Sequence, residues 1–248
     1  MNKDLVYLYD NTFEGFLTCI HRAYYSRENP TCIITKEEQM DFLIQAIQVN
    51  TDLEKSEKVY RAIEDKISNL ALRKIFTVFL SEEKEMGTII LDYLRIAFKM
   101  GAQIDDYNIH PAVIEIDKLY KRVSHERHRL LGLARFKELE NGIFYSQLEP
   151  DYNVISLLGP HFSQRLKNER WIIHDIKRGI AVFYNKKEWV LRNLEEPEDF
   201  VISEREEGYQ DMWREYYKHI AIGNRKNTRQ KKAYMPTRYW KHLVELGI

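Results

Sequence analysis

Cysteine is scarce in this sequence. The 248 residues hold two, Cys19 and Cys32, in neither a CxxC nor a zinc-ligand spacing. A disulfide framework and a cysteine-built zinc centre are therefore excluded, and a reducing, cytoplasmic setting is expected. No run of about 18 apolar residues occurs, which excludes a membrane-spanning helix, and no membrane partner is expected. The opening MNKDLVYLYD lacks the apolar core that defines a signal peptide. GxSxG, HExxH, P-loop and GxGxxG motifs are absent, so no cofactor is expected and no reaction is identified. No repeat, low-complexity tract or long linker divides the chain, and a single compact body over 1–248 is expected.

Net charge is also missing, but only in the sum. Residues 1–120 carry 14 Lys and Arg against 20 Asp and Glu, a net of −6, and 121–248 carry 24 against 18, a net of +6. Two short segments concentrate the positive charge: 121–135 at +4 and 216–248 at +7, which leaves −5 for 136–215. Local basic charge of this kind suits nucleic acid, anionic lipid or an acidic partner, while a solvated face is the plainer alternative.

Hydropathy patterning predicts a helix-rich α+β fold. Residues 1–135 read as mainly helical, 136–203 as an antiparallel sheet with a helix, and 204–248 as basic carboxy-terminal helices. Leu5–Tyr9 reads as a strand, and Asn11 or Thr12 caps a helix ending near Ser26. Thr35-Lys-Glu-Glu38 predicts a helical turn followed by a strand that ends near Asn50. The capping box Thr51-Asp-Leu-Glu54 opens the next helix. Further helices cover about 70–80 and, capped by Ser81, the stretch up to Gly101. His110-Pro111 starts a long helix with Ile116, Leu119, Val123 and Leu130 on its apolar line. Asn141-Gly142 between two strand-like runs is a strong hairpin signal. Tyr152–Lys167 reads as a helix interrupted at Gly159-Pro160. Trp171–His174, Ile180–Tyr184 and Glu188–Leu191 follow as a three-strand meander. The expected module is thus strand, strand, helix, meander, antiparallel throughout and packed on helices. Ser203 opens a helix with Tyr209, Met212, Trp213, Tyr216, Tyr217 and Ile220 on one side. A loop through GNRKNTRQKKAY leads to a last helix from Pro236 or Thr237.

The densest candidate chemistry is Lys218–Lys241, which holds eight basic residues and no acidic one. Arg225, Lys226, Arg229, Lys231, Lys232 and Arg238 neutralise phosphates there, and Trp240 among neighbouring tyrosines offers a stacking face for unpaired bases. Arg122 and Arg129, with His125, lie on one face of the long helix and form a second anion-facing surface. His125 and His128 stand three apart without a third ligand, so no metal site is expected. In the central module His161 and Arg165 share a helical face, and His174-Asp175 ends a strand. Together the four form the one candidate polar catalytic group, with histidine as base and arginine as phosphate holder; structural ion pairs and turn bonding explain the same residues.

Several stretches, in order over nearly the whole chain, carry a family resemblance. They are Tyr9-Asp10 with Phe13-Glu14-Gly15, Thr51-Asp52 with KSEKV, RLLGLARF (129–136), YNVISLLGPHFSQR (152–165), WIIHDIKR (171–178) and YMPTRYWKHL (234–243). In these the chain resembles the DUF4130 family, associated with DNA metabolism and DNA repair. The resemblance implies a protein encoded beside a radical SAM DNA-modification or repair enzyme. With no glycosylase domain ahead of it, the chain resembles the stand-alone form. It lacks the CxxxCxxC cluster motif itself, and the family supplies no catalytic residues to carry over. The expectation is a DNA-binding accessory protein partnering a radical SAM enzyme. A DNA- or nucleotide-processing enzyme and a protein-interaction scaffold are the alternatives.

Overall fold

The computed structural model describes residues 5–35, 45–195, 200–220 and 227–246. It is a helix-rich α+β protein with two sheets. Two compact units are distinguished, Met1–Ser124 and His125–Ile248. Among the described residues no helix is long and apolar enough to cross a membrane.

In the first unit β1 (Leu5–Tyr9) leads into α1 (Phe13–Tyr25), β2 (Cys32–Thr35) and β3 (Gln45–Gln48). Helices α2 (Leu53–Lys66), α3 (Asn69–Phe79), α4 (Met86–Met100) and the first part of α5 (Pro111–Leu133) follow. The three strands form a sheet of order β2-β1-β3, parallel at both pairings. Strands at Leu5–Tyr9 and ending near Asn50 were expected, β2 was not, and the parallel pairing departs from the antiparallel expectation. The reason is the crossover: α1 carries the chain back before β2 begins, so β2 runs in the direction of β1. Central β1 buries Val6, Tyr7, Leu8 and Tyr9 in succession, as a strand covered on both faces does. The helical turn expected after Thr35 lies outside the described residues.

Local capping signals set most helix starts. Thr12 Oγ1 accepts from Gly15 N at 2.9 Å, and Ser68 Oγ accepts from Ala71 N at 2.9 Å. At α2 the cap falls one residue later than the capping box suggests: Asp52 accepts from Lys55 N at 3.1 Å, and Thr51 Oγ1 instead donates to Asp10 Oδ2 at 2.6 Å. Ser81 does not cap α4; it sits in a turn ahead of it and accepts from Glu83 N. Asp10 also accepts from Thr12 Oγ1 at 2.6 Å, so one carboxylate joins the end of β1 to the starts of α1 and α2. That carboxylate occupies the space a side chain on residue 15 would need, because a Cβ on Gly15 would lie 2.1 Å from Asp10 Oδ1.

In the second unit the end of α5 precedes β4 (Lys137–Glu138), β5 (Phe144–Leu148), α6 (Gly159–Arg165), β6 (Trp171–Asp175), β7 (Ile180–Tyr184) and β8 (Trp189–Asn193). The sheet order is β4-β5-β6-β7-β8. The hairpin forms at Asn141-Gly142: Gly142 adopts φ +72° and Asn141 Oδ1 accepts from Ile143 N. The order strand, strand, helix, meander is as expected. One pairing differs: β5 and β6 are parallel, again because a helical crossover lies between them. Tyr152–Lys167 is not a continuous helix but a 3₁₀ turn at Ile155–Leu157 followed by α6, whose Pro160 occupies the first turn. Beneath α6, Trp171 is fully buried among the rings of Phe136, Phe162 and Tyr184.

The carboxy-terminal part comprises α7 (Glu204–Ile220), α8 (Thr228–Tyr234) and 3₁₀ segments at Thr237–His242 and Val244–Leu246. The expected loop is thus partly helical. Asn227 caps α8 by accepting from Gln230 N at 3.0 Å, and Pro236 separates it from a last segment that is 3₁₀ rather than α.

Gly15→Ala should cost about 1–3 kcal/mol, the usual cost of overpacking. Gly208→Ala, at a helical glycine with open space around it, should gain about 0.5–1 kcal/mol. Urea unfolding of both variants checks the contrast.

Candidate functional site

A buried carboxylate organises the second unit. Glu126 on α5 accepts from Asp151 N at 2.9 Å and from Tyr152 N at 2.8 Å. The hydroxyl of buried Tyr239 donates to the same carboxylate. Arg238 closes the group, 2.7 Å from Asp151 Oδ2 and 3.5 Å from Glu126 Oε1. Burial first, and then the bond to Glu126, hold the Tyr239 hydroxyl above the ordinary tyrosine range. Nearby, Lys241 makes 2.6 and 2.7 Å contacts to the two oxygens of Glu149, and Arg127 donates to the Leu157 carbonyl at 3.1 Å. Glu126→Ala would leave two backbone N–H groups and a phenol without their acceptor. A loss of about 3 kcal/mol or more is expected in urea unfolding.

The four residues considered for catalysis have separate immediate partners. Among the described residues no hydrogen bond or ion pair joins His161 or Arg165 to His174 or Asp175. His161 lies edge-on to the Phe162 ring, with centroids 5.0 Å apart, and Arg165 is exposed at the end of α6. His174 and Asp175 are buried and occupied. Asp175 accepts from the backbone N–H groups of Lys177 and Arg178 and pairs with Arg178 Nη1 at 2.8 Å. Burial still pushes its carboxyl above the ordinary range against the pull of Arg178. His174 Nε2 lies 3.1 Å from the Leu194 carbonyl, which can only accept, so that nitrogen carries the proton. In the neutral ring Nδ1 then accepts from the Tyr145 hydroxyl at 2.7 Å, and Tyr145 in turn accepts from Gln147 Nε2 at 3.2 Å. Burial holds the ring neutral by lowering its pKa. The pair is a fastening between β5, β6 and the residue after β8.

A different polar cluster adjoins it. Arg135, Lys137, Tyr145, Gln147 and His242 line a cavity of about 20 Å³, room for a single water-sized group. Buried His242 Nε2 has no hydrogen-bond partner among the described residues and lies 3.7 Å from Glu149 Oε1. Burial again lowers the imidazole pKa, with Glu149 opposing. Sequence reasoning missed this cluster. Lys137 and Tyr145 face each other across the hairpin register, and strand alternation adds Gln147 to the same side. His242, about 100 residues further on, had no local signal tying it to them. Both rings predict one pH response. A histidine with a depressed native pKa binds its proton more readily when unfolded. Stability is therefore full above about pH 6.5 and falls with pH below it, by up to about 1.4 kcal/mol per unit per ring. Urea midpoints at about pH 7.5 and 5.5 measure the slope, and His242→Gln should reduce it.

The residues expected to meet nucleic acid fall into distinct states. Arg122, in the first unit, is exposed and ion-paired with Glu83. Arg129 is half-buried on α5. Arg225 and Lys226 lie outside the described residues. Arg238 is committed to Asp151 and Glu126. Trp240 donates its indole N–H to the Met235 carbonyl at 2.8 Å, and Lys231 Nζ lies 5.2 Å from its ring centre and 5.7 Å from that of Tyr217. Arg229 and Lys232 remain exposed on α8. Among the described residues no carboxylate pairs with Arg229, Lys231 or Lys232. His125 and His128 gain no third metal ligand among the described residues.

The model of a family described as a domain of unknown function, DUF4130, matches residues 84–245. The match takes in residues of both units and every element from β4 to the 3₁₀ segment at Thr237–His242; the amino-terminal motifs around Gly15 and Asp52 precede it. No curated protein and no solved structure matches the chain.

Proposed function

The chain belongs to the DUF4130 family, and on that premise we propose that it binds nucleic acid as a DNA-metabolism accessory protein and partners a radical SAM DNA-modification or repair enzyme. The observation that carries the DNA-binding part is α8. Its Arg229 and Lys232 stand three residues apart on one helical face, exposed and free of carboxylates. A cation without an internal partner gives up little on meeting a phosphate and releases condensed counterions from the strand. Lys231 is held against Trp240 and Tyr217 and serves to seat the helix. Tyr234, 70% exposed at the end of α8, adds a ring on which an unpaired base stacks for about 1–3 kcal/mol. Single-stranded DNA is accordingly the favoured ligand. The radical SAM partnership rests on the family resemblance alone.

Anisotropy titrations with labelled single strands and duplexes, from about 50 to 200 mM salt, test the DNA-binding part. Arg229→Ala with Lys232→Ala should weaken single-strand binding about tenfold or more at the low end and lower the salt slope by about 1.4. Unchanged affinity and slope would reject α8 as the contact surface. Co-purification with the radical SAM protein tests the partnership separately.

A further inference from the structure

Residues 1–120 carry a net charge of −6, yet one cavity of the first unit gathers cations, rings and aliphatic side chains. It lies between α1, α2 and α4 and holds about 290 Å³, near the lower end of the range for small-ligand sites. His21, Tyr24 and Tyr25 reach it from one face of α1, three and four residues apart. The His21 and Tyr25 rings stack, with centroids 4.1 Å apart and an interplanar angle of 10°. Tyr25 is 75% exposed, so its outer face is open to a further ring. Tyr24 stands edge-on to Phe98 at 5.3 Å between centroids, and Val59 supplies an aliphatic wall.

Charge selects the ligand. Lys58, Ala62 and Lys66 follow one another every four residues along the side of α2 that borders the cavity. At a rise of about 1.5 Å per residue the two lysines start about 12 Å apart along the helix. Both are exposed, and among the described residues no carboxylate lines the cavity or pairs with either. Neighbouring Lys55 is held by Asp52 at 2.7 Å. Burial first, then Lys55 and Lys58, lower the His21 pKa; the imidazole is neutral, and the Lys58 ammonium is close enough to act on it. We propose that this cavity binds a nucleotide, its base stacked on Tyr25 over His21 and its phosphates held by Lys58 and Lys66. An aliphatic ligand makes no use of a stacked pair, and an aromatic carboxylate offers one charge to two lysines. A nucleotide within a strand carries a phosphate on each side of its base. Flat ring faces with flanking cations are the parts from which single-strand sites are built. None of these residues belongs to α8 or to the second unit.

The fluorescence of 2-aminopurine, which stacking quenches, tests the site on the full chain. The probes are the 2-aminopurine deoxynucleoside and its 3′,5′-bisphosphate, titrated at about 50 mM salt. The bisphosphate should bind at least about tenfold more tightly than the nucleoside. Lys58→Ala with Lys66→Ala should remove that difference, and Tyr25→Ala should weaken the bisphosphate about fivefold or more. All three side chains are exposed, so circular dichroism of each variant should be unchanged. Arg229→Ala with Lys232→Ala should leave bisphosphate binding intact, which separates this cavity from the α8 surface. In that background a single strand with one internal 2-aminopurine distinguishes the source of the ligand. Strand quenching that the two lysine substitutions abolish marks an in-strand nucleotide; quenching of the bisphosphate alone marks a free one. Equal affinity for nucleoside and bisphosphate, no quenching of either, or quenching that survives the lysine and Tyr25 variants overturns the proposal. Inorganic phosphate that displaces the bisphosphate at equal concentration marks a plain anion site and overturns it as well.

Discussion

The buried carboxylate of Glu126 is the constraint around which the second unit is arranged. A carboxylate removed from water is tolerated only where donors replace the water it has lost. The donors here come from two remote stretches, the backbone at Asp151 and Tyr152 and the phenol of Tyr239. Satisfying one side chain on α5 therefore fixes the loop that leaves β5 and the last segment of the chain together. Arg238 and Lys241, through Asp151 and Glu149, repeat the connection at the surface. Much of what reads as a basic, aromatic tail is thus internal fastening.

The same logic governs the histidines. His174 ends β6, and the parallel register sets Gln147 beside it on β5. The ring is then bounded by one group that can only accept, the Leu194 carbonyl, and one that can donate, the Tyr145 hydroxyl. Such a site stabilises a neutral ring with a defined tautomer, and burial acts in the same direction. A base of this kind has no vacant nitrogen with which to accept a substrate proton. His242 differs: its ring lines a cavity, and among the described residues its Nε2 has no hydrogen-bond partner.

How much of this was legible in the residues depends on the range of the forces involved. The Asn141-Gly142 turn and the caps at Thr12 and Asp52 act within three residues, and local pattern marks them to within a position. The apolar line Ile116, Leu119, Val123 and Leu130 is buried as its spacing indicates. Strand direction is set instead by what the crossover does, so the parallel β1–β2 and β5–β6 pairings were not visible in alternation. Glu126 was hidden for a related reason. In KRVSHERHRL it reads as one acid on a solvated basic face, and only partners 25 and 113 positions away make it interior. The segment 228–234 was read as loop because its polar residues show no apolar face; Asn227 supplies the cap that starts a helix there.

The carboxy-terminal aromatics illustrate why composition over a long window misleads. Counted together, residues 216–248 are strongly basic and aromatic, which suggests one polyanion surface. The fold divides the tract by helix. Tyr216 and Tyr217 lie on α7, in a half that also holds Arg214, Glu215 and Lys218. Tyr234 projects from α8, where every charged residue is basic. An exposed ring contributes stacking area wherever it sits, but the charge around it determines which partner can approach.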